Sequence, residues 1–260
     1  MRKWFLLILL LTLPLPEVLA ETPEEKGLAI AVEADRRDTG WLDQQSDLLM
    51  ILRNKHGEES TRALRIRTKE VEGDGDKSLT VFDTPRDVKG TALLSYTHAL
   101  KPDDQWLYLP ALKRVKRITS ANKSGPFVGS EFAYEDLTSQ EVEKYRYKWL
   151  RDETLGGREV FTVEQYPVYK HSGYTRRIVW IDKKMYRPLK IEFYDRKNAL
   201  LKTLTFLHYQ SYLDQYWRPD RMDMVNHQTG KHTALLWANY RFKNGFTDRT
   251  FDRNSLKRAR

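Results

Sequence analysis

Two histidines, His227 and His232, flank the turn Gln228-Thr229-Gly230, with Asp223 just upstream. Imidazoles on facing strands of one hairpin could hold zinc, but no third protein ligand is evident, so the pair reads as exposed hairpin histidines. Two carboxylate pairs could do acid/base work or hold calcium: Asp74 and Asp76 in Gly73-Asp74-Gly75-Asp76, and Asp103 and Asp104 after Pro102. Neither continues into a longer ligand pattern, and Asp beside Gly or Pro commonly satisfies the backbone donors of its own turn. The chain has no cysteine, hence no thiol nucleophile, and no G-x-S-x-G elbow, P-loop or G-x-G-x-x-G segment. No catalytic residue, metal ligand or cofactor is assigned.

Binding chemistry is better represented. The segment from Gln105 to Leu137, QWLYLPALKRVKRITSANKSGPFVGSEFAYEDL, opens with an aromatic, apolar run that ends at Pro110. A basic run follows, Lys113, Arg114, Lys116 and Arg117, and then a small-residue loop, Ser120 to Ser130, which carries Phe127 between Pro126 and Gly129. The pattern predicts a mouth with an apolar wall, a cationic rim and a mobile flap that exposes Phe127, suited to a greasy molecule with a polar or anionic head. Trp106, Tyr108 and Leu109 are expected to line the entrance and Phe127 and Phe132 to gate it. Arg114, Lys116 and Arg117 are expected to face headgroups or a partner. Successive strand residues face opposite ways; with Trp106 and Tyr108 taken as inward, Leu107 and Leu109 point out or under a lid. Trp180, Phe193, Phe206 and Leu236 complete the expected cavity lining, drawn from a wider apolar set that includes Trp217 and Trp237.

The elements that must position these residues are mostly strands. Leu28, Ala31, Val32 and Asp35 recur at helical spacing after Thr22-Pro23 and predict a helix that stops near Gly40. From Asp47 the period becomes two, and strands are predicted from Leu48, Leu64, Leu79, Ala92, Gln105, Arg114, Tyr145, Val160, Arg177, Leu189, Leu201, Arg221 and Leu235, separated by short turns. Thr138 and Glu141 have the spacing of a helix-starting capping box. About a dozen strands in series make a large, strongly curved antiparallel sheet, which must close, fold over or be covered. The expectation is a mainly β (α+β) fold, a half-barrel of about 11 strands covered by a few helices.

Residues 1–20 begin with Arg2 and Lys3, continue through the apolar run Trp4 to Leu13 and end at Ala20. This is the pattern of a signal peptide cleaved after Ala20, with too short an apolar core for a comfortable membrane span. Export without cysteine fits a periplasm and excludes a lipid-modified N-terminal cysteine. The formal charge is +9, and cleavage removes Arg2, Lys3 and Glu17, leaving +8. An exported basic protein is expected to meet anionic headgroups or an acidic protein surface, not nucleic acid. With no repeat or linker, residues 21–260 read as a single domain, and a monomer is expected.

With Arg86 to Tyr96 (RDVKGTALLSY), Arg177 to Asp195 (RIVWIDKKMYRPLKIEFYD) and Met224 to Leu236 (MVNHQTGKHTALL) beside it, the Gln105–Leu137 segment resembles the outer-membrane lipoprotein-sorting, LolA-like proteins. It is most similar to their treponemal-type branch. The resemblance covers roughly Leu48 to the C-terminus. It implies a LolA/LolB-like curved half-barrel closed by helices, with an apolar cavity for acyl chains of lipids or lipoproteins in the periplasm. The partners it implies are an inner-membrane transporter or exporter and an outer-membrane acceptor. Three readings follow: a carrier that hands acyl chains between membrane partners, a sensing module that docks on a membrane protein, and, least favoured, a hydrolase of envelope lipids.

Overall fold

The computed structural model describes residues 20–258. The predicted leader falls outside them except for Ala20. After one helix, α1 (Pro23–Arg36), come thirteen strands: β1 (Asp43–Arg53), β2 (Glu59–Lys69), β3 (Lys77–Thr84), β4 (Ala92–Tyr96), β5 (Asp104–Leu109), β6 (Arg114–Ile118), β7 (Tyr145–Leu155), β8 (Arg158–Pro167), β9 (Arg176–Asp182), β10 (Pro188–Tyr194), β11 (Leu200–Tyr212), β12 (Tyr216–Asn226) and β13 (His232–Phe242). They form one antiparallel sheet in the order β6-β5-β4-β3-β2-β1-β13-β12-β11-β10-β9-β8-β7. Each strand pairs with its neighbours in sequence, except that β1 and β13 join the two meanders and β6 and β7 are the open edges.

The expected count of about 11 strands and a few helices is thus corrected to thirteen and one α-helix among the described residues. The remaining helical pieces are 3-10 turns. Thr138, read as a helix start, is extended at φ −100°, ψ 154°, and its hydroxyl donates back to the Glu135 carbonyl at 3.0 Å. The capping box is at Thr22 instead, where Thr22 Oγ1 accepts from the Glu25 N–H at 3.2 Å and Glu25 accepts from the Thr22 N–H at 2.8 Å.

That cap starts α1, whose buried positions are Gly27 and Ile30. Leu28 and Val32, expected on the apolar stripe, are 46% and 49% exposed. Gly27 accounts for the rotation: a Cβ there would lie 2.8 Å from the Trp149 backbone nitrogen, so its absence lets the helix lie directly on edge strand β7.

Laid flat, eleven strand spacings would separate β5 from β7 by about 50 Å. Yet Asp103, just before β5, and Lys144, just before β7, form an ion pair at 2.8 Å. The sheet therefore curls until its edges nearly meet. Residues 119–144 leave edge strand β6 and enter edge strand β7, crossing the hollow as a strap. The main core lies between strap and sheet and includes Leu48, Met50, Leu64, Phe82, Leu107, Val163, Phe193, Leu235 and, from the strap, Phe127 and Phe132. A second core lies on the convex side, where Phe251 and Leu256 from the C-terminal turns cover Leu79, Val81, Leu94 and Trp106.

Candidate binding site beneath the strap

The strap is the predicted flap, but Phe127 is buried, only 1% exposed. Its ring packs against Phe82 and Tyr134, both with centroids 5.6 Å away, and Phe132 is buried beside it. The expectation of an exposed, loosely held Phe127 is overturned. The Gly/Ser content of the loop serves tight turns, and the aromatic between them is the residue that turns inward.

Polar contacts fix the rest of the strap. Arg62 Nη1 donates to the Val128 carbonyl, the Glu131 N–H donates to Thr233 Oγ1 at 3.0 Å, and Lys202 Nζ donates to the Glu131 carbonyl at 2.9 Å. Glu135 accepts from the Gly173 N–H at 2.8 Å, Ser172 Oγ at 2.9 Å and Tyr169 OH at 3.0 Å. Burial pushes the Glu135 carboxyl up, and the neighbouring Asp136 charge adds to it. At the strap's other side Asp103 binds Lys123 and Lys144, all three nearly buried.

The concave face is not buried throughout. On β1, β2, β11, β12 and β13, Leu52, Ile66, Phe206, Met222 and Trp237 pack against the main core but remain partly exposed. Phe206 lies opposite Met222 in register, and the Trp237 indole nitrogen reaches Met222 Sδ at 3.3 Å, so three of them form one patch. Tyr209 stacks on Phe206 at 6.4 Å and Tyr240 on Trp237 at 6.1 Å, extending the patch with rings. Burial raises both phenols and holds the Arg187 guanidinium, paired to Asp38 at 3.2 Å, below its usual range.

The predicted lining residues divide between the two faces. Phe193 and Phe206 face the strap side, Phe193 fully buried and Phe206 half-buried, and Leu109 also packs there. Trp106 and Tyr108 face the convex core, against the expectation that they point inward. Their neighbours Leu107 and Leu109 take the concave side. Trp180 is likewise convex: Lys190 Nζ sits 3.5 Å above its ring and its indole N–H donates to Glu153 at 2.7 Å. Leu236 lies opposite Leu49 and Arg221 on the convex face. Register also divides the basic run. Arg114 and Lys116 lie opposite Leu109 and Leu107, and Arg117 lies opposite Trp106, paired to Asp104. Arg114 and Lys116 have no ion pair among the described residues and sit on exposed edge strand β6.

Met222, Ile66 and Leu52 were not among the expected lining. Their signal was present as period-two alternation, but nothing in sequence marks which core positions stay unfilled.

The candidate chemical groups have structural partners. His232 Nε2 is 3.0 Å from Asp223 Oδ1, and His227 Nε2 is 2.7 Å from Thr203 Oγ1. Among the described residues no group of three or more His, Cys, Asp or Glu is arranged to hold a metal. Burial pushes the Asp74 carboxyl up, but hydrogen bonds from His98, Ala99 and Gly75 outweigh it and leave it at about 2.

The fold is similar to that of a LolA superfamily protein from Nitrosomonas europaea, whose crystal structure matches with a TM-score of 0.71 at 20% identity over 88% of this chain and 98% of that one. Nearer relatives exist. A crystal structure described as an outer membrane lipoprotein-sorting protein domain from Vibrio parahaemolyticus is 60% identical, with a TM-score of 0.89, over 90% of this chain and 99% of the other. A DUF1329 family protein from Desulfovibrio piger is 31% identical, with a TM-score of 0.86 and the same coverages. The family model that matches, over residues 74–258, is described as that of an uncharacterised protein. No curated protein matches. The chain belongs to the outer-membrane lipoprotein-sorting, DUF1329 family that the Vibrio and Desulfovibrio relatives define, and it shares the fold of the LolA superfamily protein.

Proposed function

We propose that the protein is a non-enzymatic periplasmic carrier that takes acyl chains of lipids or lipoproteins beneath the strap and hands them between membrane partners. The observation that carries this reading is the partly exposed apolar patch of Phe206, Met222 and Trp237 on the concave face. A monomeric protein rarely leaves enclosed apolar surface wet without a ligand to cover it. Each methylene buried there contributes roughly 0.8 kcal/mol, so a long chain offers on the order of 10 kcal/mol before ordering costs. Release then calls for strap movement. The strap is held by buried Phe127 and by polar contacts at Val128, Glu131, Glu135 and Asp136, which its movement has to break. Arg114 and Lys116, unpaired on the open edge, are suited to anionic headgroups at the donor or acceptor membrane.

The test is native mass spectrometry with lipid extraction on protein purified from the periplasm without detergent, followed by exchange of labelled lipid between vesicles. Co-purifying lipid and catalysed exchange are expected. Absence of both removes the carrier reading.

A further inference from the structure

The hollow ends, at the β1–β2 and β12–β13 turns, in a groove of about 430 Å³. Its floor includes Leu52, Ser60 and Thr233, and its roof is the strap at Gly129 and Glu131. Leu52 also packs against the main core, so the groove borders the concave face.

The charges around this groove are balanced in number and incompletely paired. Three cations, Arg53, Arg62 and Lys231, and three carboxylates, Glu58, Glu59 and Glu131, line it. Arg53 and Glu59 neutralise each other. Among the described residues the other four form no ion pair. Arg62 spends one donor on the Val128 carbonyl, Glu58 accepts from Asn54 at 2.6 Å and Glu131 from Asn226 at 2.7 Å. Arg62 points from β2 to the concave side, opposite buried Met50. A half-buried guanidinium with no carboxylate in direct contact is costly to maintain: burial lowers its proton affinity, and the charge of Asp87 offsets this only in part. Two unneutralised cations and two unneutralised carboxylates around one apolar-floored groove are complementary to a group carrying both signs.

We propose that this groove is a headgroup site for a zwitterionic phosphate ester of the phosphoethanolamine type. Arg62 and Lys231 take the phosphate, Glu58 and Glu131 take the ammonium, and the attached chains run over Leu52 onto the patch beneath the strap. A purely anionic headgroup would place its charge beside two carboxylates with nothing to satisfy them, and a quaternary ammonium could not donate hydrogen bonds to them. This assignment rests on the carrier reading for its chains but not for its headgroup chemistry.

Calorimetric titration of the leaderless protein tests it with four probes: dihexanoylphosphatidylethanolamine, dihexanoylphosphatidylglycerol, glycerophosphoethanolamine and dodecanol. The ethanolamine lipid is expected to bind at least about tenfold tighter than the glycerol lipid. Lys231→Glu and Glu58→Lys, both at exposed positions, should each remove that preference, whereas Arg62→Ala could loosen the strap and is avoided. Equal affinity for the two lipids, or a preference that survives both variants, overturns the headgroup site and leaves the carrier intact. Binding of glycerophosphoethanolamine without binding of dodecanol or of any chain-dependent affinity keeps the site, as one for a free phosphate ester, and removes the carrier. If no probe binds, both fall.

Discussion

Lys202 and Asp136 meet at 2.7 Å beneath the strap, with side chains 4% and 6% exposed. Lys202 reaches up from β11 and also donates to the Glu131 carbonyl, while Asp136 accepts from Tyr174 OH at 2.8 Å and from the Ala133 N–H at 2.7 Å. One buried lysine thus ties two points of the strap to the sheet. Its ammonium also lies 5.2 Å from the Tyr174 ring and 5.3 Å from the Phe193 ring.

Breaking this pair on one side leaves a buried charge without its partner. Lys202→Met or Asp136→Asn should each destabilise by about 3–5 kcal/mol in urea unfolding, and the double variant by less than the sum. Additive losses would mean that the two groups act independently.

Phe127 is the strap's apolar anchor. Phe127→Ala should cost about 3–5 kcal/mol of stability, and Phe127→Asp should cost more, because the carboxylate would be buried between Phe82 and Tyr134. A Phe127→Asp protein that unfolds at the wild-type urea midpoint would show that the ring is on the surface.

Glu135 makes the strap's attachment pH-dependent. Its folded-state value is raised by burial, with Asp136 adding to it, so its stabilising contribution is full below the unfolded value of about 4.3 and is lost as pH rises through the folded value. Glu135→Gln keeps acceptor and donor capacity toward Gly173, Ser172 and Tyr169 but does not ionise. Wild type should therefore lose stability relative to Glu135→Gln as pH rises above the unfolded value of about 4.3 and through the raised folded value. Parallel pH profiles of the two unfolding midpoints would rule this out.

The strands were legible because their apolar positions repeat with a fixed period, and α1 was legible as a helix although the face it buries, Gly27 and Ile30, is not the apolar stripe. The family could be recognised for a related reason, in runs such as Arg177 to Asp195. The orientation of β5 was not. Trp106-Leu107-Tyr108-Leu109 is apolar at every position because both faces are covered, and the convex cover comes from Phe251 and Leu256, far away in sequence. Alternation gives two sets of residues there, but no sign. The strap was misread for another reason: its 3-10 turns have no period, and the burial of Phe127 depends on Phe82 and Tyr134 converging from separate elements.

Arg114, Lys116 and Arg117 occupy edge strand β6, whose outer side is open, and cations there discourage pairing with a second sheet. Replacing all three with Thr should produce self-association detectable by sedimentation velocity, in addition to weaker binding to phosphatidylglycerol vesicles. A triple variant that stays monomeric while losing vesicle binding would assign the run to headgroup contact alone.

The two faces of the sheet give the sharpest test of where a chain binds. Phe206 and Leu236 are both half-buried apolar residues in the middle of β11 and β13, the two strands that flank β12, but Phe206 is concave and Leu236 convex. Phe206→Asp puts a carboxylate beside Met222 and Trp237, where a bound chain would have to strip it of water. Losing two methylene contacts costs about 1.6 kcal/mol, and desolvating the charge adds more. Dodecanol binding should therefore weaken by at least about tenfold, the equivalent of 1.4 kcal/mol. The same substitution at Leu236 should leave the dissociation constant within about a factor of two, since nothing on that face touches the hollow. Weaker binding from Leu236→Asp with normal binding from Phe206→Asp would move the ligand to the convex face. Equal losses in both would mean that the substitutions act through the stability of the sheet, and unfolding midpoints measured on the same samples would show it.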